Sequence, residues 1–322
     1  MKTIEVSGYV RAETGIGVIQ RMVYPLLRER FTVVEASSRE KQGRLATMKG
    51  IVEGLRAGED GYDGHLCIVS PLPLRFSRPL VTVVHDLRWR REATLLKAAY
   101  RKLDLARIVR LSDTIICVSD TTRRELIEVF PNAEEKSVVA WLGPGITGNG
   151  NVWKVGVPGQ LLLVGKGRHK RNELAASVLG YLRPDLITSV VGVGVSDATK
   201  VICEHALGPQ NCTWLSRISD NDLIAQYQTS QYYAHFGVNE GFGLPFVEAL
   251  KSGAIVVAID QPLTREILGE SAILVPDADA HEIADAWSRA KIPSEEVRRR
   301  QGDLYSWDSF ADAVSSAILE NT

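Results

Sequence analysis

The sequence predicts an α/β fold of two doubly wound, Rossmann-like domains, and three observations predict it. Short apolar runs rich in Val and Ile alternate with longer amphipathic runs along nearly the whole chain. Such alternation is the pattern of parallel strands joined by crossover helices. The alternation also stops once and restarts. The interruption, GPGITGNGNVWKVGVPGQ at 143–160, contains eight Gly or Pro residues, a density that suits a connection between domains better than a helix or strand.

In the first half, TIEVSG, FTVVEA, HLCIVS, LVTVVH, DTIICVS and KSVVAW read as strands. Helices are predicted between them over 17–30, 44–57, 92–111 and 120–130. After the interruption the strands are QLLLVG, LITSVVGVG, NCTWL, YYAHF, AIVVAI and AILVP. The last segment, SWDSFADAVSSAILEN, carries apolar residues at 307, 310, 311, 314, 317 and 318, the spacing of one helix face. The expected division is therefore a first domain over 1–147, a linker over 148–159, a second domain over 160–302 and a C-terminal helix over 303–322.

Composition narrows the class further. With 45% hydrophobic and 24% charged residues, the 322-residue chain has the balance of a protein with ample core. A formal net charge of −1 gives no whole-molecule attraction to nucleic acid. No apolar run reaches the ~20 residues that span a bilayer, and MKTIEVSGYV lacks the apolar stretch of a secretory signal. Cys67, Cys117, Cys203 and Cys212 show no CxxC spacing, so zinc and disulfides are not expected. The cytoplasm is the expected compartment.

Chemistry concentrates in AHFGVNEGFGLPFVEALKSGAIVVAID, residues 234–260. A strand ends near Phe236, and Glu240-Gly241-Phe242-Gly243 turns into a helix. Pro245 suits the first helical turn and Gly253 a left-handed stop. Backbone N–H groups at such a helix start, beside glycines that permit close approach, favour a diphosphate. Glu240 and Glu248 flank the turn with seven residues between them. Each carboxylate can accept two hydrogen bonds from a vicinal diol, so the pair can hold the two sugars of a nucleotide-sugar. A second cluster, Lys166-Gly167-Arg168-His169-Lys170-Arg171-Asn172, follows the strand QLLLVG and suits a leaving group whose negative charge grows during reaction. His85-Asp86 ends the strand LVTVVH, at the edge where open α/β sheets bind ligands.

The combined pattern resembles the signature of the retaining GT-B glycosyltransferases, family four. Its E-x7-E motif, read EGFGLPxxEA, is matched by Glu240 to Ala249, and the similarity continues through GAIVVAIDQPLTREILGESAILVPDADAHEIADAW. The resemblance implies two Rossmann-like domains facing across a cleft, the first on the acceptor side and the second on the donor side. It implies transfer of a hexose from a UDP- or GDP-sugar to a glycan, lipid-linked or other acceptor, with retention of configuration and without metal or other cofactor. It assigns Glu240 to the donor sugar and Glu248 to the ribose. It assigns Lys166, Arg171 and the amides of Gly241, Phe242, Gly243 and Leu244 to the diphosphate, with Lys170 as a substitute for Arg171. His85 would lie near the reacting carbon. Gly15 and Gly17, in Thr14-Gly15-Ile16-Gly17, look like the family's glycine-rich N-terminal loop.

The chain departs from that pattern at AWLGPGIT, where the family often has a PNGVD-like turn, and its first half is compact for the family. Asp277-Ala-Asp279 reads as an incidental loop. Eight Lys or Arg between Arg88 and Arg110 suit either contact with an anionic membrane or the solvated face of a packed helix; the packed helix is the preferred reading. A nucleotide-sugar epimerase or phosphorylase of the same fold, an NAD-linked oxidoreductase and a catalytically silent binding protein remain as alternatives. Nothing in the sequence specifies the oligomeric state.

Overall fold

The structure is a computed structural model that describes residues 1–7, 15–35, 60–68, 71–87, 95–146, 153–165, 167–238 and 240–321. The predicted helix 44–57, Thr14, Lys166 and residues 88–94 and 148–152 of the predicted segments lie outside the described residues. The chain divides into two compact units, one of residues 1–143 with 306–322, the other of residues 144–305.

The first unit holds β1 (Thr3–Ser7), α1 (Gly15–Arg28), β2 (Thr32–Glu35), β3 (Gly64–Cys67), β4 (Leu80–Val84), α2 (Leu95–Leu111), β5 (Thr114–Cys117), α3 (Asp120–Val129) and β6 (Ser137–Val139). Its sheet runs β2-β1-β3-β4-β5-β6, with every pair parallel. β3 and β4 are buried along their whole length, and burial on both faces is why β4, LVTVV, shows no polar alternation. Ser119 caps α3 by accepting from the Thr122 N–H.

The C-terminal helix, Trp307–Glu320, belongs to this first unit. It buries the six apolar positions of its stripe and Ser315. Arg30, just past α1, reaches Asp312 at 2.6 Å and donates to the Ser315 hydroxyl at 3.1 Å. Gly143 lies against Trp307, where a Cβ would come within 2.5 Å of the indole Cδ1.

The second unit holds β7 (Val157–Val164), α4 (Asn172–Val178), β8 (Ser189–Val193), α5 (Asp197–Leu207), β9 (Cys212–Leu215), α6 (Asp220–Thr229), β10 (Ser230–His235), α7 (Leu244–Ser252), β11 (Ile255–Ile259), α8 (Pro262–Leu268), β12 (Ile273–Val275), α9 (Ala280–Arg289) and α10 (Glu295–Asp303). Its parallel sheet runs β12-β11-β10-β7-β8-β9. The core packs Leu161, Leu163, Tyr232, Phe236, Val257 and Trp287 together, with Tyr232 and Trp287 edge to face at 5.5 Å. Part of the glycine-rich stretch docks on this unit. Trp153 is stacked by the guanidinium groups of Arg298 and Arg299 at 4.9 and 4.1 Å, and Arg298 also donates to the Gly253 carbonyl.

All four cysteines are free thiols, three of them buried. Burial pushes the Cys117 and Cys203 thiols up to about 12, so both behave as small apolar side chains. No helix among the described residues is long and apolar enough to cross a membrane.

Candidate active site

The site follows from the strand order of the second unit. β7 comes first in sequence but lies between β8 and β10, so the chain proceeds to opposite sides of it. At such a switch point the loops leaving the carboxyl ends of the two central strands diverge and leave a crevice. Residues 165 and 167–171 follow β7 there, and residues 236–238 and 240–243 follow β10. The two meet at Gly237, where a Cβ would lie 2.9 Å from the His169 carbonyl and 2.6 Å from His235 Nε2.

The turn into α7 is built as its residue types suggest. Gly243 sits at φ +81°, ψ +61°, with no side-chain cap on the helix start, and Pro245 occupies the first turn. A side chain at Gly243 would also run into the Phe246 ring. Gly253 ends the helix at φ +101° and donates to Ala249 O at 3.0 Å and Leu250 O at 3.2 Å. Phe242 is buried edge to face against Tyr305 at 5.7 Å, so its ring anchors the turn and only its main chain is left for a ligand. Leu244, the first helical residue, packs toward Gly145.

Glu240 and Glu248 meet different surroundings. Glu240 Oε1 lies 3.8 Å from Nε2 of both His169 and His235. Those separations are too long for hydrogen bonds. His235 is not a cation here: burial, then the fields of Lys170 and His169, hold its pKa well below the usual imidazole range. Glu248 is buried on α7, accepts a hydrogen bond from the Tyr227 hydroxyl at 3.1 Å and another from the Gly145 N–H. Burial pushes its carboxyl up to about 7, against the lowering effects of Tyr227, Lys170 and Gly145, while Asp220 adds to the rise. The Tyr227 and Tyr233 hydroxyls are hydrogen-bonded to each other, and Tyr233 reaches His235 Nδ1 at 2.8 Å. A continuous buried chain thus runs Glu248–Tyr227–Tyr233–His235 toward Glu240.

Of the predicted cations, Lys170 acts on this cluster. Its stem lies over Gly165, where a Cβ would come within 3.3 Å of Cδ and Cε, and its charge is felt by both Glu248 and His235. Arg171 is turned elsewhere, donating to Asp277 at 2.6 Å. It is also the sole non-glycine residue with a positive φ among those described, at +53°, a conformation that costs about 1–3 kcal/mol and tends to mark functional sites. Asp279, the other carboxylate of Asp277-Ala-Asp279, caps α9 through the His281 and Glu282 amides.

The remaining predicted residues belong to the first unit. His85, at the carboxyl end of β4, donates from Nε2 to the Ile68 carbonyl at 2.6 Å. Burial lowers its pKa, opposed by that bond and by Asp86, so the imidazole is neutral. Gly15 and Gly17 open α1. Asp104 and Arg107 of α2 hold Leu72 and Pro73 by main-chain hydrogen bonds, while Leu103 is exposed. Glu5, His65 and Ser7 stand in the order carboxylate–imidazole–hydroxyl, with His65 Nε2 2.7 Å from the Ser7 hydroxyl and Nδ1 2.9 Å from Glu5. All three are at most 3% exposed, which leaves a substrate no access, so they form a polar network within the sheet.

Sequence reasoning missed four contributors. Tyr233 and His235 fall in the predicted strand YYAHF and Tyr227 in the stretch before it, and none stands out there, although the i, i+2 spacing of Tyr233 and His235 places both on one face of β10. Gly145 stands out only as part of the Gly- and Pro-rich interruption, yet its N–H serves Glu248, and a Cβ there would come within 2.5 Å of Glu248 Oε1.

Comparison with known proteins agrees with this architecture. Residues 150–302 match the family model described as Glycosyl transferases group 1. An MMP alpha-(1->4)-mannosyltransferase of Mycolicibacterium hassiacum is 33% identical over 115 residues, which cover 33% of this chain and 28% of that protein. The matched stretch is thus under a third of that relative's length. Sucrose-phosphate synthase from Thermosynechococcus elongatus has a similar fold, at TM-score 0.76 and 15% identity, over 99% of both chains. Anabaena HepE, solved in complex with UDP and glucose, superposes at TM-score 0.67 and 16% identity, again over 99% of both chains.

Proposed function

We propose, for a GT-B chain whose residues 150–302 belong to the glycosyl transferases group 1 family, that it transfers a hexose from a nucleotide-diphosphate sugar to an acceptor hydroxyl. The observation that carries this reading is the pair Glu240 and Glu248 on either side of the α7 N-terminal turn, at the switch point of the sheet. Three binding groups follow one another there. A buried carboxylate at Glu248 takes the ribose diol. Main-chain N–H groups of the Gly241 to Leu244 turn, at the positive end of the helix dipole, take the diphosphate. Glu240, a partly exposed carboxylate, takes hydroxyls of the sugar. The mannosyltransferase relative and the UDP- and glucose-bound HepE structure support this choice of ligand class.

In this mechanism the anomeric carbon exchanges its bond to the diphosphate oxygen for one to the acceptor oxygen, and the hydroxyl proton leaves with the nucleoside diphosphate. Charge grows on the diphosphate, and fixed cations and amides stabilise it without reorganisation. Cations of segment 166–171 supply that charge, so no metal takes part, and the sugar keeps its configuration. His85, a neutral imidazole at a strand's carboxyl end, is proposed to take part in the transfer, and the acceptor is a glycan or a lipid-linked sugar.

Incubation with UDP-, GDP-, ADP- and dTDP-sugars, with and without chelator and an acceptor pool, tests the reading. Release of nucleoside diphosphate from one donor is expected, unchanged by chelator. Glu240→Gln should lower turnover about 10–100-fold by removing a charged hydrogen-bond acceptor, with a smaller effect on binding of the free nucleotide. Binding without turnover would indicate a silent binding protein, and neither binding nor release would reject the donor site.

The cation assignment has its own test. Lys170→Ala should weaken nucleoside diphosphate binding about 10–100-fold, the loss of one charge-assisted contact. Arg171→Ala should cost less than about tenfold if the arginine stays with Asp277. Titration calorimetry with the preferred nucleotide ranks the two, and a larger loss in Arg171→Ala reverses the assignment.

A further inference from the structure

The hydrogen-bonded chain between the two glutamates has no role in the transfer as described. Its members are buried, and it ends at a nitrogen, His235 Nε2, that has no hydrogen-bond partner among the described residues and faces Glu240 Oε1 at 3.8 Å. We propose that Tyr227, Tyr233 and His235 are positioning residues that couple the two carboxylates: the protonation of Glu248 sets which imidazole nitrogen of His235 carries its hydrogen, and so what faces Glu240.

Hydrogen counting gives two self-consistent arrangements. With Glu248 ionised, its carboxylate accepts from Tyr227, Tyr227 from Tyr233, and Tyr233 from the Nδ1–H of His235. The bare Nε2 lone pair then faces the Glu240 carboxylate, acceptor against acceptor. With Glu248 protonated, every donor in the chain reverses. Glu248 donates to Tyr227, Tyr227 to Tyr233, Tyr233 to Nδ1, and the hydrogen on Nε2 points at Glu240. The two interconvert by a balanced relay. A proton taken up at Nε2 from the Glu240 edge releases the Nδ1 hydrogen to Tyr233, whose own hydrogen passes to Tyr227, and that of Tyr227 to Glu248. One proton enters, one arrives, and each tyrosine oxygen ends with one hydrogen.

The groups around the chain favour a switch near neutrality. Glu248 faces Tyr227 and Asp220 from α6, Lys170 from the segment after β7, and the Gly145 N–H. His235 faces Tyr233 on its own strand, Lys170 and His169 from that same segment, and Glu240. Glu248 titrates at about 7 in this setting, whereas both tyrosines lie well above their usual range through burial. The tyrosines therefore carry protons without ionising. Gly237 keeps the Nε2 edge open, since a Cβ there would come within 2.6 Å of that nitrogen.

The coupling rests on the donor-site reading for its use but can be measured without ligand. Protein with 15N-labelled histidine is followed by two-bond proton–nitrogen NMR across about pH 5–9, the range in which histidine and raised carboxylates titrate. His235 is expected to carry hydrogen on Nε2 at low pH and on Nδ1 at high pH, in one step. Tyr227→Phe, which keeps the ring, and Glu248→Gln, which cannot ionise, should each abolish that step and leave one tautomer throughout. A wild-type tautomer that ignores pH, or a step that survives in both variants, overturns the coupling. UDP and GDP are then added to the wild type. A tautomer that titrates but responds to neither nucleotide upholds the relay and rejects the donor-site reading instead.

Discussion

Glu248→Gln is expected to make the second unit more stable at pH 8 while weakening nucleotide binding. The stability half follows from linkage. In the fold the Glu248 carboxyl sits at about 7, above its ordinary 4.5. Between those values the unfolded chain ionises while the folded protein keeps its proton. The unfolded state then binds fewer protons, so stability falls as pH rises through this window and levels off above about 7. The difference amounts to about 3 kcal/mol at the plateau, and the burial of Glu248 leaves little solvent screening to reduce it. Glutamine has no such titration, and its amide can serve both the Gly145 N–H and the Tyr227 oxygen. Denaturant curves at about pH 5 and 8 should therefore nearly coincide at the lower pH and separate at the higher.

The binding half has the opposite sign. Loss of a charged acceptor for the ribose diol should weaken nucleotide affinity about 10–100-fold. In the wild type the diol hydroxyls would stabilise the carboxylate, so binding should release a proton near neutrality and tighten as pH rises from about 6 to 8. Calorimetry in buffers of different ionisation heat measures that proton. A carboxylate that costs the fold stability and strengthens a ligand is what a functional site leads one to expect. If Glu248→Gln neither stabilises at high pH nor weakens binding, Glu248 is an ordinary core residue.

Gly243→Ala is the second large effect. A left-handed conformation costs an alanine roughly 1–2 kcal/mol, and the Cβ would also displace the Phe246 ring at about 1–3 kcal/mol more. Phe246 packs against His235 at 4.8 Å, so the displacement reaches the crevice as well as the turn. Nucleotide binding should fall along with stability. Gly302→Ala is the control: its Cβ meets nothing closer than 3.6 Å, on Lys251. Gly302 lies in the last turn of α10 without a positive φ, so alanine there should be neutral or stabilise by up to about 0.5–1 kcal/mol. Thermal melts of the two variants should move in opposite directions or by clearly unequal amounts, and equal shifts would discount the conformational argument.

Much of this protein could be read locally. Every strand predicted from a run of Val, Ile and neighbouring apolar residues is a strand, because such runs fit a buried parallel sheet and little else. Pro245 and Gly253 mark the two ends of α7, since one lacks the N–H that a first turn does not use and the other tolerates a left-handed stop. Glu240 and Glu248 stood out because a glycine turn and a helix start lay between them. Those are effects within a few residues of chain, where backbone geometry and residue type suffice.

What tertiary structure alone decided is the order of the strands and everything that depends on it. No local pattern says that β7 lies beside β10, and only that adjacency brings His169 and Lys170 to Glu240 and Glu248. Nor does a Tyr in α6 or a Tyr and His in β10 announce a shared hydrogen-bond chain. Each is compatible with an ordinary core position until packing aligns hydroxyl, imidazole and carboxylate. The same holds for Gly145 and Gly237, whose missing side chains matter because of atoms remote in sequence. Sequence determined the elements, the family resemblance and the candidate carboxylates. Packing determined their neighbours, and with them the protonation of Glu248, because desolvation and hydrogen bonding belong to the folded surroundings and not to the residue.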